Sequence, residues 1–76
     1  MIKEHDCVVL LQDIPGEGLK AADIGTVVHI HQGGQGYEVE FMTLVGETVA
    51  VVTLLQSQLR PIARRDLAHV RELTIA

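Results

Sequence analysis

Four histidines and one cysteine are the residues of this chain best suited to chemistry. His29 and His31 alternate along one stretch, so in a strand both project from the same face, with Glu38 and Glu40 on the segment that follows. Two imidazoles and two carboxylates suggest a metal site, but zinc sites take three or four tightly placed ligands. A solvated sheet face with cross-strand His–Glu pairs accounts for the same residues. Cys7 could be a nucleophile only if positive charge or a helix start lowered its pKa. Its neighbours are Asp6 and Val8, and it reads as a small buried strand residue. The run Gly33-Gly34-Gln35-Gly36 resembles part of a phosphate loop, yet it lacks the lysine and the helix such a loop requires. Arg60, Arg64 and Arg65, with Arg71 beyond, could form an anion patch. Asp66 and Glu72 interleave with them, which favours a solvated face. No nucleophile, base and orienting group can be assembled. The chain is read as non-catalytic, with no cofactor and no resident metal.

The elements that must carry these residues centre on 23–41, DIGTVVHIHQGGQGYEVEF. Two alternating runs joined by a glycine-rich link signal a β-hairpin. Matching the apolar faces sets Ile30 opposite Val39 and Val28 opposite Phe41. It also sets His29 opposite Glu40 and His31 opposite Glu38, with 33–36 as the tip. Gly25, where the strand begins, is expected to supply a backbone bend that a side chain would obstruct. Before the hairpin, 6–11 reads as a first strand and 12–18, with Pro15, Gly16 and Gly18, as a loop. Leu19 is expected to anchor beneath the sheet. After the hairpin come a turn around Val45-Gly46 and a long apolar strand over 48–55. A single helical turn at 56–59 and a short last strand at 60–62 follow, with Pro61 where no ladder donor is needed. The expected core is Val8 or Cys7 with Leu10, Leu19, Val28, Ile30, Val39, Phe41, Leu59 and Ile62.

The length of 76 residues allows one small domain. The division expected is 1–62 for the domain and 63–76 for a tail. Leu67, Val70, Leu73 and Thr74 in the tail have helical spacing, while the β-branched ending at 73–75 leaves an extra strand open. One cysteine excludes an internal disulfide and fits a reducing compartment. No signal-peptide pattern opens the chain, and no apolar run is long enough to span a bilayer, so a soluble cytoplasmic protein is expected. A net charge of −4 and only two aromatic residues, Tyr37 and Phe41, argue against nucleic acid as a partner. They also leave no aromatic groove for proline-rich peptides.

Five short strands, a long first loop and a helical turn before the last strand imply an all-β fold, a five-stranded SH3-like barrel with a C-terminal extension. Four stretches carry a narrower resemblance. They are Asp13-Ile14-Pro15 with Gly18-Leu19, Asp23 with Gly25-Thr26-Val27-Val28, Tyr37-Glu38-Val39-Glu40-Phe41, and Gln58-Leu59-Arg60-Pro61. Together they resemble a family of short bacterial proteins of unknown function with that fold. The resemblance covers 6–62 and implies no activity. KOW modules of the translation apparatus share the barrel and the GTVV-like start, but they are usually basic.

The functional expectation is therefore a protein-interaction module, accessory, antitoxin-like or immunity-like in kind. The alternative is a KOW-like module associated with nucleic acid or the ribosome. Alternate residues of 48–55 face opposite ways, and a small barrel has one interior. With Phe41 facing Ala50, the side chains of Met42, Val49 and Val51 are expected to point outward. That apolar patch, covered by Leu67, Val70 and Leu73 of the tail or by a second subunit, is the candidate interface. A homodimer is expected on this ground.

Overall fold

The computed structural model describes residues 2–73. Five strands form one antiparallel sheet: β1 (Cys7–Leu10), β2 (Ile24–His31), β3 (Gly36–Met42), β4 (Thr48–Leu54) and β5 (Leu59–Pro61). Their order is β4-β3-β2-β1-β5. The sheet is open: among the described residues no ladder joins β4 to β5. Three single 3-10 turns, Pro15–Glu17, Gln32–Gly34 and Gln56–Gln58, are the helical content of the described residues. The last of these is the helical turn expected before the final strand.

All five strands contribute to one core. Val8 and Leu10 of β1, Val27 of β2, Tyr37, Val39 and Phe41 of β3, Ala50 and Leu54 of β4 and Leu59 of β5 are all buried in it. Leu19 and Ile2 enter from the loops to complete this core. Leu19 reaches its place through a paired bridge with Ile14, its N–H donating to the Ile14 carbonyl at 3.1 Å.

Several expectations need correction, and two β-bulges explain most of them. The ladder between β2 and β3 shifts between Val27 and His29. Beyond the shift His29 faces Glu38 and Ile30 faces Tyr37; before it Val27 faces Val39. Val28 is the extra residue and lies exposed, while Val27 takes the core position. The tip becomes Gln32 to Gln35, one residue earlier than expected, with His31 opposite Gly36. The second shift lies between Phe41 and Met42: Phe41 faces Ala50 as expected, but Met42 faces Thr48. Val49 is therefore unpaired and turns toward the core, against which it packs half-buried. Its expected outward orientation is overturned. Cys7 is exposed and Val8 fully buried, because β1 turns Val8 and Leu10 inward. Ile62 is exposed, since β5 ends at Pro61 and no ladder holds the next residue against the core.

Residues 62–73 form neither helix nor strand. The expected tail helix is absent there, and the alternative strand at 73–75 lies mostly outside the described residues. Two side-chain anchors hold the tail instead. Arg60 donates two hydrogen bonds to Asp66, at 2.8 and 3.0 Å, and Asp66 accepts a third from the Ala63 N–H at 2.6 Å. These bonds, the arginine's foremost, hold the Asp66 carboxyl down to about 2. The second anchor is Arg71, described below.

Candidate functional site

Glu38 is the centre of the histidine cluster. The Thr53 hydroxyl donates to its Oε2 at 2.6 Å, and His31 Nε2 lies 2.7 Å from the same oxygen. Thr53 first and His31 second hold the carboxyl below its ordinary range. The expected His31–Glu38 contact forms, although backbone register places His29 opposite Glu38. His29 instead approaches Glu4, at 3.7 Å, and Glu40 accepts a hydrogen bond from the Thr48 hydroxyl. The two imidazole rings meet edge to face with centroids 4.8 Å apart. Cross-strand pairing engages His31, Glu38 and Glu40, His29 lies beside Glu4 ahead of β1, and among the described residues no group of three or more His, Cys, Asp or Glu could hold a metal ion. The glycine-rich tip is a hairpin turn, with Gly33 and Gly34 in the left-handed region.

The expected interface residues fall into three settings. Met42 and Val51 project outward, about half exposed at 48% and 52%. Val49 belongs with the core, as described. In the tail, Leu67 and Val70 stand out into solvent at 93% and 71%, while Leu73 lies beside Val49 on the wall of a shared groove. That groove has a volume of about 740 Å3 and runs between the tail and the sheet. Leu19, Ile24, Phe41, Met42 and Val49 line its sheet side; Val70 and Leu73 line the other. The tail therefore stands over Val49 but leaves Val51 open.

Arg71 closes one end of the groove. Its Nε and one terminal nitrogen donate to the two carboxylate oxygens of Asp23, at 2.7 and 2.5 Å. The same terminal nitrogen donates to the Gly18 carbonyl at 3.1 Å. A paired fork of this kind is the strongest common contact between a guanidinium and a carboxylate. Asp13, Glu17 and Leu19 adjoin it around a smaller cavity of about 340 Å3. The arginine cluster of the sequence is thus taken apart: Arg60 and Arg71 are engaged within the chain, six and 48 residues from their carboxylate partners. Periodicity carries no signal of the second pairing, which depends on the fold bringing the loop before β2 beneath the tail.

Asp23 is subject to opposing effects. Partial burial raises its pKa, but the Arg71 hydrogen bonds, the Lys20 N–H and the nearby positive charges together outweigh burial and leave it lowered. A carboxylate with a lowered folded-state pKa gives stability that is complete above its ordinary value and is lost as pH falls through the lowered one. The tail is therefore expected to stay attached at pH 3.8 and above and to be released only below it. The Leu73 methyl resonances followed by NMR through an acid titration check this. Release with a midpoint above the ordinary carboxylate value would contradict the Asp23 attachment.

The architecture and the site define a small all-β domain with an apolar groove bounded by an arginine-tied tail. Residues 4–61 match the family described as Domain of unknown function (DUF4926), and the chain belongs to that family. The match ends at Pro61, the last residue of β5. No curated protein and no solved structure matches the chain. No helix among the described residues is long and apolar enough to cross a membrane.

Proposed function

We propose that the protein is a non-catalytic protein-interaction module built on an SH3-like barrel, and that it self-associates as a homodimer in the cytoplasm. The serial order of the strands, with β1 between β2 and β5, supports the SH3-like reading. The observation that carries the interaction reading is β4. It is a seven-residue strand at the end of the sheet, with no charged residue and no proline. Edge strands normally carry such features to block pairing with another chain. Val51 and Met42 continue its apolar surface outward, and Leu44 and Val45 project from the adjoining turn.

A two-fold axis through Val51 pairs β4 with its copy in antiparallel register, so that each strand satisfies the other's open backbone groups. The small size and acidity also suit a partner that is basic, in the manner of an antitoxin or immunity protein. Light scattering at micromolar concentration is the test. A mass of two chains is expected. Val51→Lys places like charges opposite one another across the axis and is expected to reduce the mass to one chain. A wild-type mass of one chain would remove the homodimer.

A further inference from the structure

We propose that the end of the groove formed by Asp23 and the Gly18 carbonyl is a receptor for an arginine-bearing extended segment of a partner protein, and that Arg71 fills it in cis. The proposal rests on the protein-interaction reading above and specifies the kind of partner. Its polar seat, Asp23 and Gly18, lies outside β4, although Val49 of β4 adjoins it.

Three observations carry it. The first is the fit of the seat to a guanidinium. Two carboxylate oxygens and one carbonyl accept three hydrogen bonds from Arg71, and two of its nitrogens match the two Asp23 oxygens as a planar fork, where a lysine would bring all its donors to a single nitrogen. Two residues on, Leu73 lines the same cavity as the apolar side chains of Leu19 and Val49. The recognised pattern is an arginine, any residue, then an aliphatic side chain.

The second is charge. Before position 60 the chain has eight acidic residues and two lysines; all four arginines lie at 60 or later, with two acidic residues. The domain is acidic and the segment that lies on it is basic. Asp13 and Glu17 add to the field around the seat. Such a surface favours a basic segment over the acidic remainder of this chain.

The third is how lightly the occupant is held. Residues 62–73 have no regular secondary structure and lie beyond the family match. Leu67 and Val70 are nearly bare. The Arg71 fork supplies the side-chain hydrogen bonds between residues 67–73 and the rest of the domain among the described residues. A tethered occupant held by few contacts competes through its high effective concentration and gives way to a better one.

The test uses the full chain and a fluorescein-labelled peptide with the sequence of residues 68–73, AHVREL, read by fluorescence anisotropy. Arg71→Ala empties the seat and is expected to bind the peptide about ten-fold or more tighter than the unaltered protein. Asp23→Asn, added to it, is expected to abolish the gain. A peptide whose arginine is replaced by alanine is expected not to bind the Arg71→Ala protein, and this arm compares two peptides on one and the same protein. Equal binding by the unaltered and Arg71→Ala proteins, or equal binding of the two peptides, would overturn the proposal. So would a dimer that Arg71→Ala dissociates and Val51→Lys does not, since the seat would then hold a second copy's tail. Val51→Lys is expected to leave peptide binding unchanged, so failure of the β4 homodimer and failure of the arginine seat are read separately.

Discussion

Phe41→Ala is expected to remove most of the stability of the domain. The ring is buried near the end of β3, opposite Ala50, and belongs with Val39 and Leu19 to the common core. Truncating a buried phenylalanine costs about 3–5 kcal/mol, because the lost transfer energy is joined by the energy of the cavity left behind. A single small domain has only about 5–15 kcal/mol in all, and short chains lie near the lower end. Ala50 on the facing strand is too small to fill the space. Phe41 also lines the groove beneath the tail, so the variant weakens both the core and the wall of the proposed binding surface. Thermal and urea unfolding followed by circular dichroism measure the effect. The expected loss corresponds to a fall in melting temperature of more than about 12 °C. A cooperative transition within a few degrees of the unaltered protein would show that the core does not depend on this ring.

Phe41 also marks where the sequence was legible. Tyr37, Val39 and Phe41 alternate with two glutamates, and nothing else in the segment competes for the inner face. β3 and its pairing with Ala50 follow from that alternation and one glycine turn. β2 was less legible because Val27 and Val28 are adjacent. Either can fill the core, and only the bulge, formed through the pairing with β3, selects Val27. Val49 failed for the same reason on β4. A bulge depends on two strands at once, so the alternation of one strand does not reveal it. The tail failed differently. Leu67, Val70 and Leu73 have helical spacing, but a short isolated helix is marginal in water, and Leu67 and Val70 stay exposed. Two arginine–carboxylate pairs decide the path of the tail. One is local enough to read from the sequence, and the other joins residues that only the folded sheet brings together.

Gly25→Ala is expected to destabilise the protein, although strand propensity argues for the opposite sign. Exchanging glycine for alanine inside a strand ordinarily gains about 0.5–1 kcal/mol by restricting the unfolded chain. Gly25 lies within β2 and does not have the positive φ that would require glycine. The obstacle is space. A Cβ at this position would lie 2.5 Å from Cγ1 of Val39 and 2.9 Å from Cε1 of Phe41. Neither neighbour can give way easily. Val39 is fully buried and its branched side chain is stiff about χ1, and the Phe41 ring is held in the same core. Overpacking of this kind costs about 1–3 kcal/mol or more, which exceeds the propensity gain. The steric account makes a sharper demand on the double variant. Val39→Ala removes the methyl that the new Cβ would strike, at the cost of a cavity. In that background Gly25→Ala fills part of the space it previously lacked. The two changes should therefore cost less together than the sum of their separate effects, with a coupling of about 1 kcal/mol or more. Urea unfolding of the four proteins of the cycle measures this. Additivity within about 0.5 kcal/mol would mean that the close approach of β2 to Val39 is not what reserves position 25 for glycine.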